Sequence, residues 1–75
     1  MPTQNTPRND APLASEKIAH ERKLFFIDLK ENDRGLYLKI TEDVGGRRDT
    51  ILVPAEIARE FAEAILRVLE KGGAQ

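Results

Sequence analysis

The chain has 75 residues, and its twelve basic and thirteen acidic side chains give a formal net charge of −1, which excludes a generally basic nucleic-acid-binding surface. A domain of this size buries only about 60% of the surface that its unfolded chain exposes, so it needs an additional source of stability. Because the chain has no cysteine and only one histidine, self-association is a better source than disulfide bonds or metal ions. No apolar run approaches the roughly 18 residues of a membrane span and the N-terminus has no signal-peptide core, so we expect a cytoplasmic protein without a membrane partner.

Residues 1–12 contain three prolines and show no apolar periodicity. This composition is typical of a disordered arm. The sequence predicts a folded domain over residues 13–72, followed by a flexible C-terminus at residues 73–75.

Four strands are predicted after the arm. The first, at residues 14–21, has a weak pattern, whereas the second, at residues 23–30, is rich in aromatic and branched side chains that favour a strand. A turn at residues 31–35 leads to a returning strand at residues 36–42, and Gly45 and Gly46 mark a further turn before a short strand at residues 50–53. Alternation along the hairpin separates an apolar face from a second face that carries Phe26, Lys30, Tyr37 and Lys39.

A helix is predicted from Pro54 to Lys71. Proline suits the first turn of a helix, Ile57, Phe61 and Ile65 recur at helical spacing, and Gly72 is a natural stop. The apolar stripe is wider than one small sheet needs. The order is therefore ββββα, an α+β fold of one four-stranded antiparallel sheet and one helix.

An aromatic ring among lysines on an open sheet can hold single-stranded nucleic acid, since a base stacks on the ring while cations meet the phosphates. Several alternatives remain open from the residues alone. Lys30 and Lys39 could be ordinary solvated strand residues, Asn32 could serve only the turn, and Tyr37 could be a cross-strand partner of Phe26. Arg47 and Arg48 could form a solvated turn or touch phosphate, and His20 is interpreted as a surface or sheet histidine.

Residues 25–40, which read Phe-Phe-Ile-Asp-Leu-Lys-Glu-Asn-Asp-Arg-Gly-Leu-Tyr-Leu-Lys-Ile, resemble the signature hairpin of the PUR family of purine-rich-element-binding proteins. The resemblance continues upstream through Leu13 and downstream to Phe61. It implies a bacterial-type single PUR repeat with a Whirly-like ββββα fold. In this family two repeats intertwine, so a single repeat is expected to form an intertwined homodimer with a second copy.

The resemblance also implies a function: binding of single-stranded DNA or RNA, with a preference for guanine-rich strands and a capacity to separate duplex strands without nucleotide hydrolysis. By position, Lys30 and Asn32 match the polar contacts of the family, Arg34 and Lys39 match its basic contacts, and Tyr37 matches the aromatic residue that stacks on bases or wedges between them. No cofactor, metal ion or small-molecule substrate is implied.

Two residues depart from the family pattern. Leu36 stands where the family usually has arginine, and Tyr37 replaces phenylalanine. Because Glu31 and Asp33 adjoin the cations, the hairpin has only a slight positive excess, which predicts modest affinity with steep salt sensitivity. This weakness motivates a second hypothesis, a protein-interaction or dimerisation module that kept the fold and lost nucleic-acid binding. We expect no enzymatic activity, because no acid–base pair or phosphate loop is identifiable.

Overall fold

The computed structural model describes residues 11–74. Most of the expected N-terminal arm, residues 1–10, and the last residue of the expected flexible C-terminus lie outside the described residues. The arm therefore stays a prediction.

Four antiparallel strands and one helix follow in chain order, as the sequence predicted. The strands are β1 (Ala14–His20), β2 (Lys23–Asn32), β3 (Gly35–Val44) and β4 (Arg47–Pro54), and the helix is α1 (Ala55–Lys71). Their order in the sheet is β1-β2-β3-β4, so each strand pairs with its neighbour in the chain. The α+β fold with ββββα order is confirmed.

The central hairpin has a shorter loop than the sequence suggested. Asn32 pairs with Gly35, so only Asp33 and Arg34 lie outside the strands. The Asn32 side-chain oxygen accepts a hydrogen bond from the Arg34 backbone N–H at 2.8 Å, and Gly35 adopts a φ of +124° that residues with a Cβ rarely take. Three of the five residues expected in the turn, Glu31, Asn32 and Gly35, therefore belong to the strands instead.

The helix begins directly after Pro54 and ends at Lys71, where the Gly72 N–H donates to the Val68 carbonyl oxygen at 3.0 Å. It contacts β3 and β4 but neither β1 nor β2. None of its residues is buried, and apolar side chains remain open to solvent: Phe61 is 37% exposed and Val68 is 67% exposed. The wide apolar stripe seen in the sequence is therefore not covered by residues 11–74 of the same chain.

The sheet has little core of its own. Among residues 11–74 only Val53 and Thr41 are buried, each at 5% exposure. Ile18 and Ile51 are each 53% exposed. A stable small domain needs its apolar surface covered, and the described part of the chain does not form a closed hydrophobic core. Exchange of helices between two copies stays a prediction.

Candidate nucleic-acid interface

Strand register decides which side chains share a face of the sheet, because directly paired residues project to the same side. Lys30 pairs with Tyr37, and Asp28 pairs with Lys39. When the register is followed across all four strands, Lys30, Tyr37 and Lys39 of the predicted site lie on one face of the sheet, which we call the lysine face. The lysine face carries Ser15, Lys17, Phe26, Asp28, Lys30, Tyr37, Lys39, Thr41, Asp43, Arg48, Thr50 and Leu52. The opposite face carries the apolar residues of the hairpin, such as Ile27 and Ile40.

The central pair of the predicted site is Lys30 and Tyr37. Both side chains are partly buried, as is Lys39. The cross-strand pairing of Tyr37 with Phe26 that the sequence left open is wrong, because the two-residue loop places Phe26 opposite Thr41. Tyr37 therefore has a cation rather than a second ring as its direct neighbour.

The hairpin tip supplies the other two predicted residues, Asn32 and Arg34, both exposed. The Asn32 side-chain oxygen is used in the turn, while its amide nitrogen makes no hydrogen bond among residues 11–74. Asn32 therefore stabilises the turn with its side-chain oxygen and still presents its amide N–H groups as hydrogen-bond donors. The structural and binding interpretations of Asn32 are therefore compatible.

The predicted cations are not neutralised by nearby carboxylates. Within the described part of the chain, Lys30, Arg34 and Lys39 form no ion pair, although Glu31, Asp33 and Asp28 lie next to or opposite them. Asp28 instead accepts a hydrogen bond from the Ser15 hydroxyl at 2.5 Å. Three positive charges are thus available to an anionic ligand on one hairpin.

A groove of about 530 Å³ lies where the hairpin tip meets the start of the helix. Of the predicted site residues, Asn32, Arg34 and Tyr37 line it, together with Gly35, Leu36, Leu52, Pro54, Ala55 and Glu56. Lys30 and Lys39 are not part of its lining and lie on the adjoining sheet. The structure therefore brings three of the five predicted residues into one concavity and places two lysines beside it.

One cluster on the lysine face was not recognised from the sequence. Arg48, expected in a turn, lies in β4: its Nε donates to Asp43 Oδ2 at 2.8 Å, and its Cζ lies 5.6 Å from the centre of the Phe26 ring. The hydrogen bond from Arg48, with a second from the Gly46 backbone N–H at 3.1 Å, holds the pKa of Asp43 below its usual value. A predicted fourth strand that began at residue 47 instead of residue 50 would have paired Arg48 with Asp43.

The described residues contain neither a metal-binding cluster nor a membrane-spanning helix. Across residues 11–74, no group of three or more histidine, cysteine, aspartate or glutamate side chains is arranged to hold a metal ion. No helix in this range is long and apolar enough to cross a membrane.

An antiparallel four-stranded sheet followed by one helix, with a cationic hairpin around an aromatic ring, is the architecture that a PUR repeat is expected to have. The model of the family described as PurA ssDNA and RNA-binding protein matches residues 1–75. The chain therefore belongs to the PurA family, which confirms the resemblance found in the sequence.

Several relatives are larger regulatory proteins. The chain is 51% identical over 47 residues to Transcription factor Pur-alpha 1 of Arabidopsis thaliana, covering 63% of this chain and 16% of the relative. It is 32% identical over 79 aligned positions to Transcriptional activator protein Pur-alpha of Homo sapiens, covering 96% and 24% respectively. Transcriptional regulator protein Pur-beta of Homo sapiens is 33% identical over 54 residues, or 71% of this chain and 17% of the relative. The chain thus spans about a quarter or less of these relatives, whose names are those of transcription regulators.

Proposed function

We propose that this protein binds single-stranded DNA or RNA, favours guanine-rich purine strands, and acts as a regulator of transcription or of RNA. The observation that carries the proposal is the set of three cations, Lys30, Arg34 and Lys39, that surround Tyr37 on one hairpin and form no ion pair within residues 11–74. Membership of the PurA family supports it.

Each residue has a distinct role in this proposal. Tyr37 stacks on a base, which is worth about 1–3 kcal/mol, while the three cations neutralise phosphates. The free amide group of Asn32 donates to a base edge, which phosphate contacts alone cannot read. Because Tyr37 lies next to the groove at the hairpin tip, it also has room to wedge between bases, and this is our proposed basis for strand separation without nucleotide hydrolysis.

We further propose that the protein acts as a homodimer in which each helix packs on the sheet of the other copy. The exposed apolar side chains on the helix, among them Ile65 and Val68, and those on the sheet, among them Ile18 and Ile51, support this proposal. A symmetric dimer is the commonest oligomer, and a second copy supplies both complementary surfaces.

Fluorescence anisotropy with guanine-rich, pyrimidine-rich and duplex oligonucleotides tests the proposed binding. Three phosphate contacts on a single strand predict a slope of about −2 in a plot of log affinity against log salt. Tyr37→Ala and Lys30→Ala should weaken binding while light scattering still reports a dimer. Lys71→Ala, which removes a lysine at the end of the helix, is the charge-matched control and should bind like the parent. If Tyr37→Ala and Lys30→Ala also bind like the parent, the hairpin assignment is wrong.

A second candidate function is a protein-interaction module. The net charge of −1 and the apolar Leu36 in place of a cation favour it. It predicts no binding of any single strand even at low salt, together with a protein partner that is recovered in a pulldown and lost when the exposed helix stripe is mutated. The anisotropy experiment separates the two candidates.

A further inference from the structure

Arg48 is the most firmly positioned cation on the lysine face. Its guanidinium group is tied to Asp43 by a 2.8 Å hydrogen bond and lies 5.6 Å from the centre of the Phe26 ring. Asp43 is itself fixed by the Gly46 backbone N–H. The arginine is held from two sides, so little side-chain freedom remains to be lost when a ligand binds.

The outward side of Arg48 stays open, because its side chain is 63% exposed. Its charge is largely compensated by Asp43, which makes it a poorer phosphate ligand than Lys30 or Lys39. A flat, weakly hydrated guanidinium is nevertheless a good surface for a nucleobase, which stacks on it as on an aromatic ring.

We propose that Arg48, held over Phe26 by Asp43, is a second base-stacking platform on the lysine face. The inference rests on the proposed function, since it adds a second contact for the same single strand. Phe26 lies four residues before Lys30 on β2, about 13 Å along the strand at roughly 3.3 Å per residue, and Lys30 is paired with Tyr37. One nucleic-acid strand running from the hairpin tip towards the β3–β4 turn therefore meets Tyr37 first and Arg48 a few nucleotides later.

An abasic-site scan of a guanine-rich oligonucleotide tests this arrangement. A single base is removed at each position in turn, and affinity is measured by fluorescence anisotropy. Two separated positions should be sensitive, one for each platform. The oligonucleotide should contain a single high-affinity segment, so that it binds the protein in one fixed alignment.

The diagnostic variant is Arg48→Lys, which keeps the positive charge beside Asp43 and removes the flat group. We expect this variant to bind the guanine-rich oligonucleotide about fivefold more weakly, which corresponds to the lower end of the stacking free energy of one base. We also expect it to lose one of the two positions that are sensitive to base removal. Arg47→Ala is the matched control. Arg47 neighbours Arg48 in the chain but lies on the opposite face, paired with Val44, so both sensitive positions should persist.

The outcomes separate this inference from the function on which it rests. If the parent binds the oligonucleotide with a single sensitive position, there is no second platform, and if Arg48→Lys retains both positions, Arg48 does not form it. In either case the proposed function stands. If the parent binds no single strand, both proposals are overturned. Circular dichroism of each variant confirms that the sheet is intact.

Discussion

Tyr37 shows how much of the site depends on one side chain. The ring is partly buried, directly opposite Lys30, and borders the groove at the hairpin tip. The resemblance found in the sequence implies phenylalanine at this position, so the contribution of the hydroxyl group to binding affinity can be measured separately from that of the ring.

We expect Tyr37→Phe to bind a guanine-rich single strand within about twofold of the parent, because the stacking surface is kept. Tyr37→Leu keeps an apolar side chain but loses the ring, and its affinity should fall about 5- to 150-fold, corresponding to about 1–3 kcal/mol. Anisotropy titration of both variants gives the comparison. Equal affinity for Tyr37→Leu and Tyr37→Phe would contradict base stacking.

Asp43 is a residue whose ionisation we expect to be coupled to folding. The hydrogen bond from Arg48 lowers its pKa in the folded chain, so this residue stabilises the fold at pH values above the unfolded pKa of about 3.9. As the pH falls through the lower folded pKa, the carboxylate is protonated and that contribution is lost.

The urea midpoint of the parent should therefore fall more steeply on acidification below about pH 4 than that of Asp43→Asn. Asp49→Asn provides a control, because Asp49 lies on the opposite face and forms no ion pair among residues 11–74. A parallel pH dependence in Asp43→Asn and the parent would show that the Arg48 contact contributes no pH-dependent stability.

At the scale of the elements, the β2–β3 hairpin depends on its short loop. The pairing of Asn32 with Gly35 fixes the register that sets Lys30 against Tyr37. Gly35 has a φ of +124°, and no atom would lie within 4 Å of an added Cβ, so a side chain at this position is opposed by backbone strain and not by crowding.

We expect Gly35→Ala to lower the free energy of unfolding by about 1–3 kcal/mol. Gly72→Ala is the control: Gly72 has an ordinary φ of −85°, and the substitution should change stability by less than about 1 kcal/mol. Denaturant unfolding measured by circular dichroism gives both values. Similar losses in the two variants would mean that the Gly35 conformation is not required.

At the scale of the whole molecule, the sheet and the helix cover only part of each other's apolar surface among residues 11–74. The described residues extend over 54 × 31 × 16 Å, and within them the helix contacts two of the four strands, β3 and β4. Burial of apolar surface is the main stabilising term in folding, so the exposed helix stripe is expected to require a partner surface.

Ile65→Glu places a charge in that stripe, where Ile65 is 52% exposed in the single chain. We expect light scattering to report a monomer for this variant and a dimer for the parent. The parent's unfolding midpoint should also rise with protein concentration, as it does whenever association stabilises the folded state. Arg67→Glu introduces the same carboxylate on the polar side of the helix and should remain dimeric. A parent that is monomeric at all concentrations would contradict the proposed dimer.

The sequence alone determined the element order, the two faces of the hairpin and the family. Residue alternation assigned Phe26, Lys30, Tyr37 and Lys39 to one face, and the register agrees. These features are local: they depend on side-chain periodicity, on turn residues such as Gly35 and on proline before the helix, and each can be read within a few positions of the chain.

Only the tertiary structure decided which residues meet. Tyr37 pairs with Lys30 and not with Phe26 because register depends on the length of the loop, and a two-residue loop cannot be distinguished by composition from a longer one. Arg48 packs on Phe26 because β4 begins three residues earlier than its apolar pattern suggests, and cross-strand contacts between β2 and β4 leave no periodic signal. The uncovered helix is likewise a tertiary fact, since an amphipathic stripe predicts that a helix must pack but does not say against which surface.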